Sequence, residues 1–161
     1  MKTNKAIFAS GCFWGTQHYL GKANGVVDST VGYTGGYVEN PTYEQVCTGT
    51  TGHVEAVEVE YDPGVTNYEE LAELFFETHD PTQKNGQGPD IGTQYKSVIF
   101  YKTEEERRTA EKLIKLLIDK GMEITTEVEK AKTFYPAEEY HQNYYDKTGG
   151  SPYCHIYRKL F

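Results

Sequence analysis

Cys12 stands where a chain break opens a helix: Ser10-Gly11 precedes it and Phe13-Trp14-Gly15 follows. The first turn of a helix presents unpaired N–H groups and a partial positive charge. Both favour a thiolate and draw a cysteine pKa below its usual ~8.5, which is what a nucleophile needs. An inert, buried thiol would also fit this position. Phe13 and Trp14 are adjacent large aromatics at a helix start. Both cannot easily turn inward, so at least one is expected to line a surface pocket.

Glu55 is the second candidate. Residues 54–61 read as a strand, and side chains alternate across a strand. Glu55 therefore shares a face with Val57, Val59 and Tyr61, while Glu58 and Glu60 point the other way, to solvent. An acid on an apolar face loses hydration, so its pKa should rise and its carboxyl should keep its proton at neutral pH. A neutral carboxyl is a general acid. If the start of the strand lies at the sheet edge, Glu55 is simply wetted.

The remaining polar groups are less informative. Cys47, between Val46 and Thr48, reads as a packed thiol. Cys154 follows Gly149-Gly150 and sits beside Pro152 and His155; it is a poor core residue that could meet Cys12 or be a spectator. Tyr43 precedes the 54–61 strand, and Tyr95 opens a later strand after a loop holding Asp90, but composition does not single these two out of 14 tyrosines. Metal is not expected, because His53, His155, Cys47 and Cys154 form no close ligand pair. Neither G-x-x-x-x-G-K-[ST] nor G-x-G-x-x-G occurs, so no nucleotide cofactor is expected either.

The elements that must position these groups follow from pattern. Strands are expected at 4–10, at 26–33 with Val27, Val31 and Tyr33 on one parity, at 54–61, at 94–101 and at 123–130. Helices are expected at 12–20, at 67–77, at 103–120 and at 136–145. Asn67 and Glu70, and Thr103 and Glu106, have capping-box spacing. Ala110, Leu113, Ile114, Leu117 and Ile118 form an apolar stripe that Gly121 ends. This order predicts a two-layer α/β (α+β) sandwich, a ferredoxin-like mixed sheet with helices packed on it and a coil-rich tail. Its 161 residues are one catalytic-sized domain, with 146–161 as a flexible tail carrying Cys154.

A net charge of −8 argues against nucleic acid and anionic membrane as partners. No run approaches the ~18 apolar residues of a membrane span, and Met1, Lys2 and Lys5 lead into no apolar leader. A cytoplasmic protein is expected. Three cysteines make no disulfide scaffold.

Several linked blocks carry a family resemblance. Gly11-Cys12-Phe13-Trp14-Gly15 is similar to the active-site signature of the class A peptide methionine sulfoxide reductases. Tyr43-Glu44-Gln45-Val46-Cys47 leads to Thr51-Gly52-His53-Val54-Glu55, where the family reads T-G-H-A-E. Asp90-Ile91-Gly92-Thr93-Gln94-Tyr95-Lys96-Ser97 resembles a second loop-strand block, and Ala137-Glu138-Glu139-Tyr140-His141-Gln142 a C-terminal one. The match runs over about residues 5–155.

The resemblance implies that Cys12 attacks a methionine S-sulfoxide, free or in proteins, while Glu55, Tyr43 and Tyr95 hold its oxygen. It implies that Phe13 and Trp14 enclose the methyl group, that Asp90 holds the substrate, and that oxidised proteins are repaired. Cys12 would become a sulfenic acid, which a second thiol converts to a disulfide. Relatives often carry two tail cysteines; this chain has only Cys154, which the resemblance makes the resolving thiol, with thioredoxin as reductant and the protein acting as a monomer. Two other classes stay open on the residues alone. One is a cysteine hydrolase with His18 as base, and the other is a module that binds methionine without turnover.

Overall fold

The computed structural model describes residues 2–152 and 155–161. Strand β1 (Asn4–Ser10) leads into helix α1 (Phe13–Leu20), and strand β2 (Val26–Thr34) returns. A short helix α2 (Tyr43–Cys47) precedes β3 (Val54–Tyr61), and α3 (Tyr68–Glu77) follows it. A small hairpin, β4 (Gly86–Gln87) and β5 (Asp90–Ile91), and a 3-10 turn (Thr93–Tyr95) lead to β6 (Ser97–Tyr101). Helix α4 (Glu104–Asp119), β7 (Glu127–Lys130), β8 (Tyr135–Pro136), a 3-10 turn (Glu139–His141) and α5 (Tyr144–Thr148) complete it.

The main sheet has the order β7-β6-β1-β3-β2-β8. Its four central strands form the ferredoxin-like arrangement, in which the first strand lies between the third and the last. All pairs are antiparallel except β6 with β7. That makes the sheet mixed. Helices α1, α3 and α4 cover one face, burying Phe8, Val31, Val57, Val59, Phe75, Leu113 and Leu117. Each such side chain contributes ~1.5–3 kcal/mol when fully buried. On the opposite face Ile7, Ala9, Val54, Ala56, Val98 and Phe100 form a smaller cluster beneath Ala131 and Phe134.

Several boundaries differ from expectation for local reasons. Val27 is 49% exposed because the β2–β3 register slips between Val26 and Asp28, which breaks its parity with Val31 and Tyr33. Ile118 is 52% exposed, so the α4 stripe is Ala110, Leu113 and Leu117, with Ile114 partly buried. Residues 136–145 are not one helix. Pro136 ends β8, and the backbone turns left-handed at Asn143, just before α5. Tyr95 sits in the 3-10 turn and not on a strand, and a short helix not among those expected, α2, lies between β2 and β3. Thr42 and Gln45 form its reciprocal capping box.

From Gly149 onward the described residues form no regular element, yet several are tied down. His155 is buried, with Nε2 2.7 Å from the Ser10 carbonyl. Arg158 and Leu160 donate backbone N–H bonds to Glu77.

Candidate active site

The turn from β1 into α1 requires glycine at position 11. Its φ is +93°, and a Cβ there would fall 2.6 Å from the Gln87 side chain. Cys12 is the N-cap residue of α1 and 7% exposed. Its carbonyl accepts from the Gly15 and Thr16 amides at 3.2 and 3.3 Å. The first turn of α1 holds no acidic residue of its own. Glu55 of β3 reaches that turn from across the fold: its Oε1 accepts from the Phe13 N–H at 3.2 Å, one of the amides the helix leaves unpaired.

Glu55 is 1% exposed. Burial pushes its pKa up from 4.5 to about 8; the Phe13 N–H pulls it down, and the charge of Asp90 adds to the rise. The carboxyl is therefore mostly protonated at neutral pH. Its Oε2 is buried with no hydrogen-bond partner among the described residues. A proton held there is ready for an incoming acceptor.

Four further side chains close on this acid. Tyr43 opens α2, and its phenol is raised by burial and then by the charge of Glu55. Tyr95 is raised by burial first, then by Glu55, Cys47, Asp90 and Cys12. Both phenols are neutral donors. Asp90 begins β5, within electrostatic reach of Glu55 and Tyr95. Cys47 differs from the expected packed thiol: as the last residue of α2 it is exposed at the surface, and its thiol meets the Tyr43 hydroxyl. Cys154 lies outside the described residues.

An aromatic wall flanks the helix start. Phe13 is buried against Tyr33 and Tyr43, at ring separations of 5.7 and 6.5 Å. Trp14 is half-buried, so it is Trp14 that reaches the surface. It stacks on Tyr144 at 3.7 Å and donates from Nε1 to His141 Nδ1 at 3.1 Å. Glu138 ties the wall to α2, accepting from the Tyr33 hydroxyl at 2.9 Å and the Tyr43 N–H at 3.2 Å.

Glu138, His141 and Tyr144 are site neighbours that residue-level reading assigned no role. Their irregular spacing lies on no periodic element. The dense aromatic and polar content of 138–145 was the available signal. His18 stands six residues from Cys12, roughly 240° around a helix. Its ring packs edge-on against Tyr19 and Tyr145, far from the role of a base for Cys12. A separate groove of about 710 Å³ lies between α3 and α4, lined by Lys5, Tyr68, Glu69, Glu105 and Lys112. It mixes charges of both signs, and no cysteine lines it.

Among the described residues, no three His, Cys, Asp or Glu side chains are grouped to hold a metal ion. Among the same residues, no helix is long and apolar enough to cross a membrane.

The chain resembles known proteins over nearly its full length. A family model described as peptide methionine sulfoxide reductase matches residues 4–161. Peptide methionine sulfoxide reductase MsrA of Nautilia profundicola is 52% identical over 150 residues, covering 93% of this chain and 87% of the relative. The protein of that name from Methanothermobacter thermautotrophicus is 53% identical over 159 residues, 97% of this chain and 94% of its own. Reduced Mxr1 from Saccharomyces cerevisiae has a similar structure, with a TM-score of 0.89 at 39% identity, covering 98% of this chain and 93% of that one. Mxr1 solved in complex with Trx2 matches with a TM-score of 0.66 at 31% identity, covering 98% and 91% of the two chains.

Proposed function

The chain belongs to the peptide methionine sulfoxide reductase family, and from that premise we propose how its residues divide the work of the reaction. The substrate is methionine S-sulfoxide, free or within an oxidised protein. Its sulfur is a poor electrophile because the oxygen is a poor leaving group. Glu55 gives its proton to that oxygen, and the Tyr43 and Tyr95 hydroxyls hydrogen-bond to it. The Cys12 thiolate attacks the activated sulfur. Oxygen passes to Cys12, methionine leaves, and Cys12 is left as a sulfenic acid. Phe13 and Trp14 enclose the substrate methyl group, and Asp90 holds the substrate chain.

Cys154 then attacks the sulfenic acid, water leaves, and a Cys12–Cys154 disulfide forms. A thioredoxin dithiol reduces it; the yeast relative's complex with Trx2 supports that choice. The whole chain acts as one catalytic domain in the cytoplasm.

The observation that carries this reading is Glu55: a protonated, fully buried carboxyl with one bare oxygen, bonded to the first amide of the helix that Cys12 caps. A hydrolase would need a base beside Cys12, whereas this arrangement supplies an acid.

The test is turnover of methionine S-sulfoxide with dithiothreitol. The wild-type chain should release methionine and Cys12→Ser should release none; full activity in Cys12→Ser would remove the mechanism. Intact mass after one turnover without dithiothreitol should show the loss of two hydrogens, and Cys154→Ser should instead gain one oxygen.

A further inference from the structure

The charged side chains around Glu55 are of one sign. Asp90 lies within electrostatic reach of Tyr95, and Glu138 and Glu44 lie within reach of the Tyr140 phenol. Glu138 stays ionised. Burial opposes this, but its own N–H, the Tyr43 N–H and the Tyr33 hydroxyl hold its carboxyl below the usual range. Glu44 follows Tyr43 in the first turn of α2 and is exposed. Nine ion pairs join the described residues, and none of them includes Glu44 or Glu138. Lys147, the lysine of the 138–147 segment, pairs with Glu139 instead, at 3.4 Å.

Surface charge is ordinarily a matter of solvation. Two further features point to a ligand here. Glu55 Oε2, in the same group of side chains, is buried without a hydrogen-bond partner among the described residues. An incoming group therefore completes this site. Tyr140 is 60% exposed, with its ring 4.0 Å from that of His141, and His141 lies 4.5 Å from Tyr43. The three rings step from the site out to the surface. An exposed aromatic face with carboxylates beside it suits an ammonium or a guanidinium group.

A chain that lowers a methionine sulfoxide toward Glu55 lays its neighbouring residues across this rim, since side chains two apart on extended backbone are only ~7 Å from one another. Resting on the reading of Tyr43 as a holder of the sulfoxide oxygen, we propose that Glu44, with Glu138 and the exposed face of Tyr140, selects methionine sulfoxide flanked by lysine or arginine in a peptide or an unfolded segment of a protein. Glu44 is a specificity-determining residue and does not touch the reacting atoms. It attracts cationic neighbours of the sulfoxide and repels acidic ones, and both effects widen the discrimination.

The experiment uses short acetylated and amidated peptides in which methionine S-sulfoxide stands between two lysines, two alanines or two glutamates. Values of kcat/KM are measured with dithiothreitol at low and at high salt. At low salt the lysine peptide should exceed the glutamate peptide on the order of 10-fold, with alanine between them. High salt should collapse the difference, because exposed charges are screened. Glu44→Gln should cut the lysine-to-glutamate ratio about 3-fold, and Glu44→Lys about 10-fold. Glu105→Gln removes the same charge from the groove between α3 and α4 and should leave the ratio as it is.

Equal rates for the three peptides would overturn the proposal. So would a ratio that Glu44→Gln leaves unchanged, or one that Glu105→Gln shifts as much, because net charge and not the rim would then be responsible. Calorimetric binding of the same peptides to Cys12→Ser, with and without Glu44→Gln, reads the preference without turnover. If the wild-type chain reduced no sulfoxide while that binding preference appeared, the proposed function would fall and the rim would stand. Turnover without discrimination would leave the proposed function and remove the rim.

Discussion

Replacing Glu55 by glutamine separates two consequences of burying an acid, and they run in opposite directions. The folded chain holds this proton up to about pH 8, whereas the unfolded chain releases it near 4.5. Below 4.5 both states are neutral and the full stability is present. Between the two values the unfolded state gains from ionising and the folded state does not, so stability falls as pH rises. Each pH unit in that window costs ~1.4 kcal/mol. From pH 5.5 to 7.5 the wild-type chain should lose about 3 kcal/mol from this one group.

Glu55→Gln lacks that loss. Its amide leaves one N–H pair facing the place of the bare Oε2, at a pH-independent cost of ~1–3 kcal/mol. Urea unfolding at both pH values, with equal m, gives the difference between variant and wild type, in which the other titrating groups cancel. That difference should move by about 3 kcal/mol in favour of the variant as pH rises. For a chain of this size the same change is ~6–12 °C in Tm. Activity should fall in the same variant, though less than in Glu55→Ala, because an amide still donates to the sulfoxide oxygen. Parallel stability curves for wild type and variant would refute the reasoning, since Glu55 would then be an ordinary wetted carboxyl.

The acid role also sets a pH profile. As Glu55 loses its proton, kcat/KM should fall above about pH 8, and single-turnover rates of Glu55→Gln should lack that alkaline limb. At Gly15, a Cβ would fall 2.3 Å from His155 Nδ1. Gly15→Ala should therefore displace His155 from the Ser10 carbonyl and cost ~1–3 kcal/mol in urea unfolding. On α4, Leu117→Ala should cost ~2–5 kcal/mol, while the exposed neighbour in Ile118→Ala should stay within about 0.5 kcal/mol; equal losses at the two positions would contradict the orientation of the helix.

Cys12 and Glu55 were legible as a candidate pair because each breaks a strong local rule. Cys12 interrupts a helix start where an oxygen-bearing cap is usual, and Glu55 interrupts the apolar parity of β3. Strand alternation and the Thr103 cap of α4 are local, so those elements could be read directly. Tyr43, Tyr95 and Asp90 stand on a short helix, a 3-10 turn and a two-residue strand, where no period exists to say which way a side chain faces. Only the family resemblance selected them. The slip at Val27 and the break of 136–145 arise from long-range pairing, with β3 in one case and β2 in the other. Cys47 was misread because Val46 beside it is buried, and on a short helix one step rotates the next side chain to the surface.

The site is also where the fold gives up stability. Among the described residues, the buried side-chain atoms without a hydrogen-bond partner are His18 Nδ1, Glu55 Oε2, Tyr68 Oη and His141 Nε2. Two of the four lie on residues beside the start of α1: one on the acid bonded to the Phe13 N–H, one on the imidazole that accepts from Trp14. Each could be relieved by an apolar substitution, so folding alone does not account for them. In the proposed mechanism Glu55 keeps a proton for an acceptor that arrives with the substrate, and the bare Oε2 is where that proton sits. A mutation that repairs the defect at Glu55 should therefore gain stability while losing reduction of the sulfoxide.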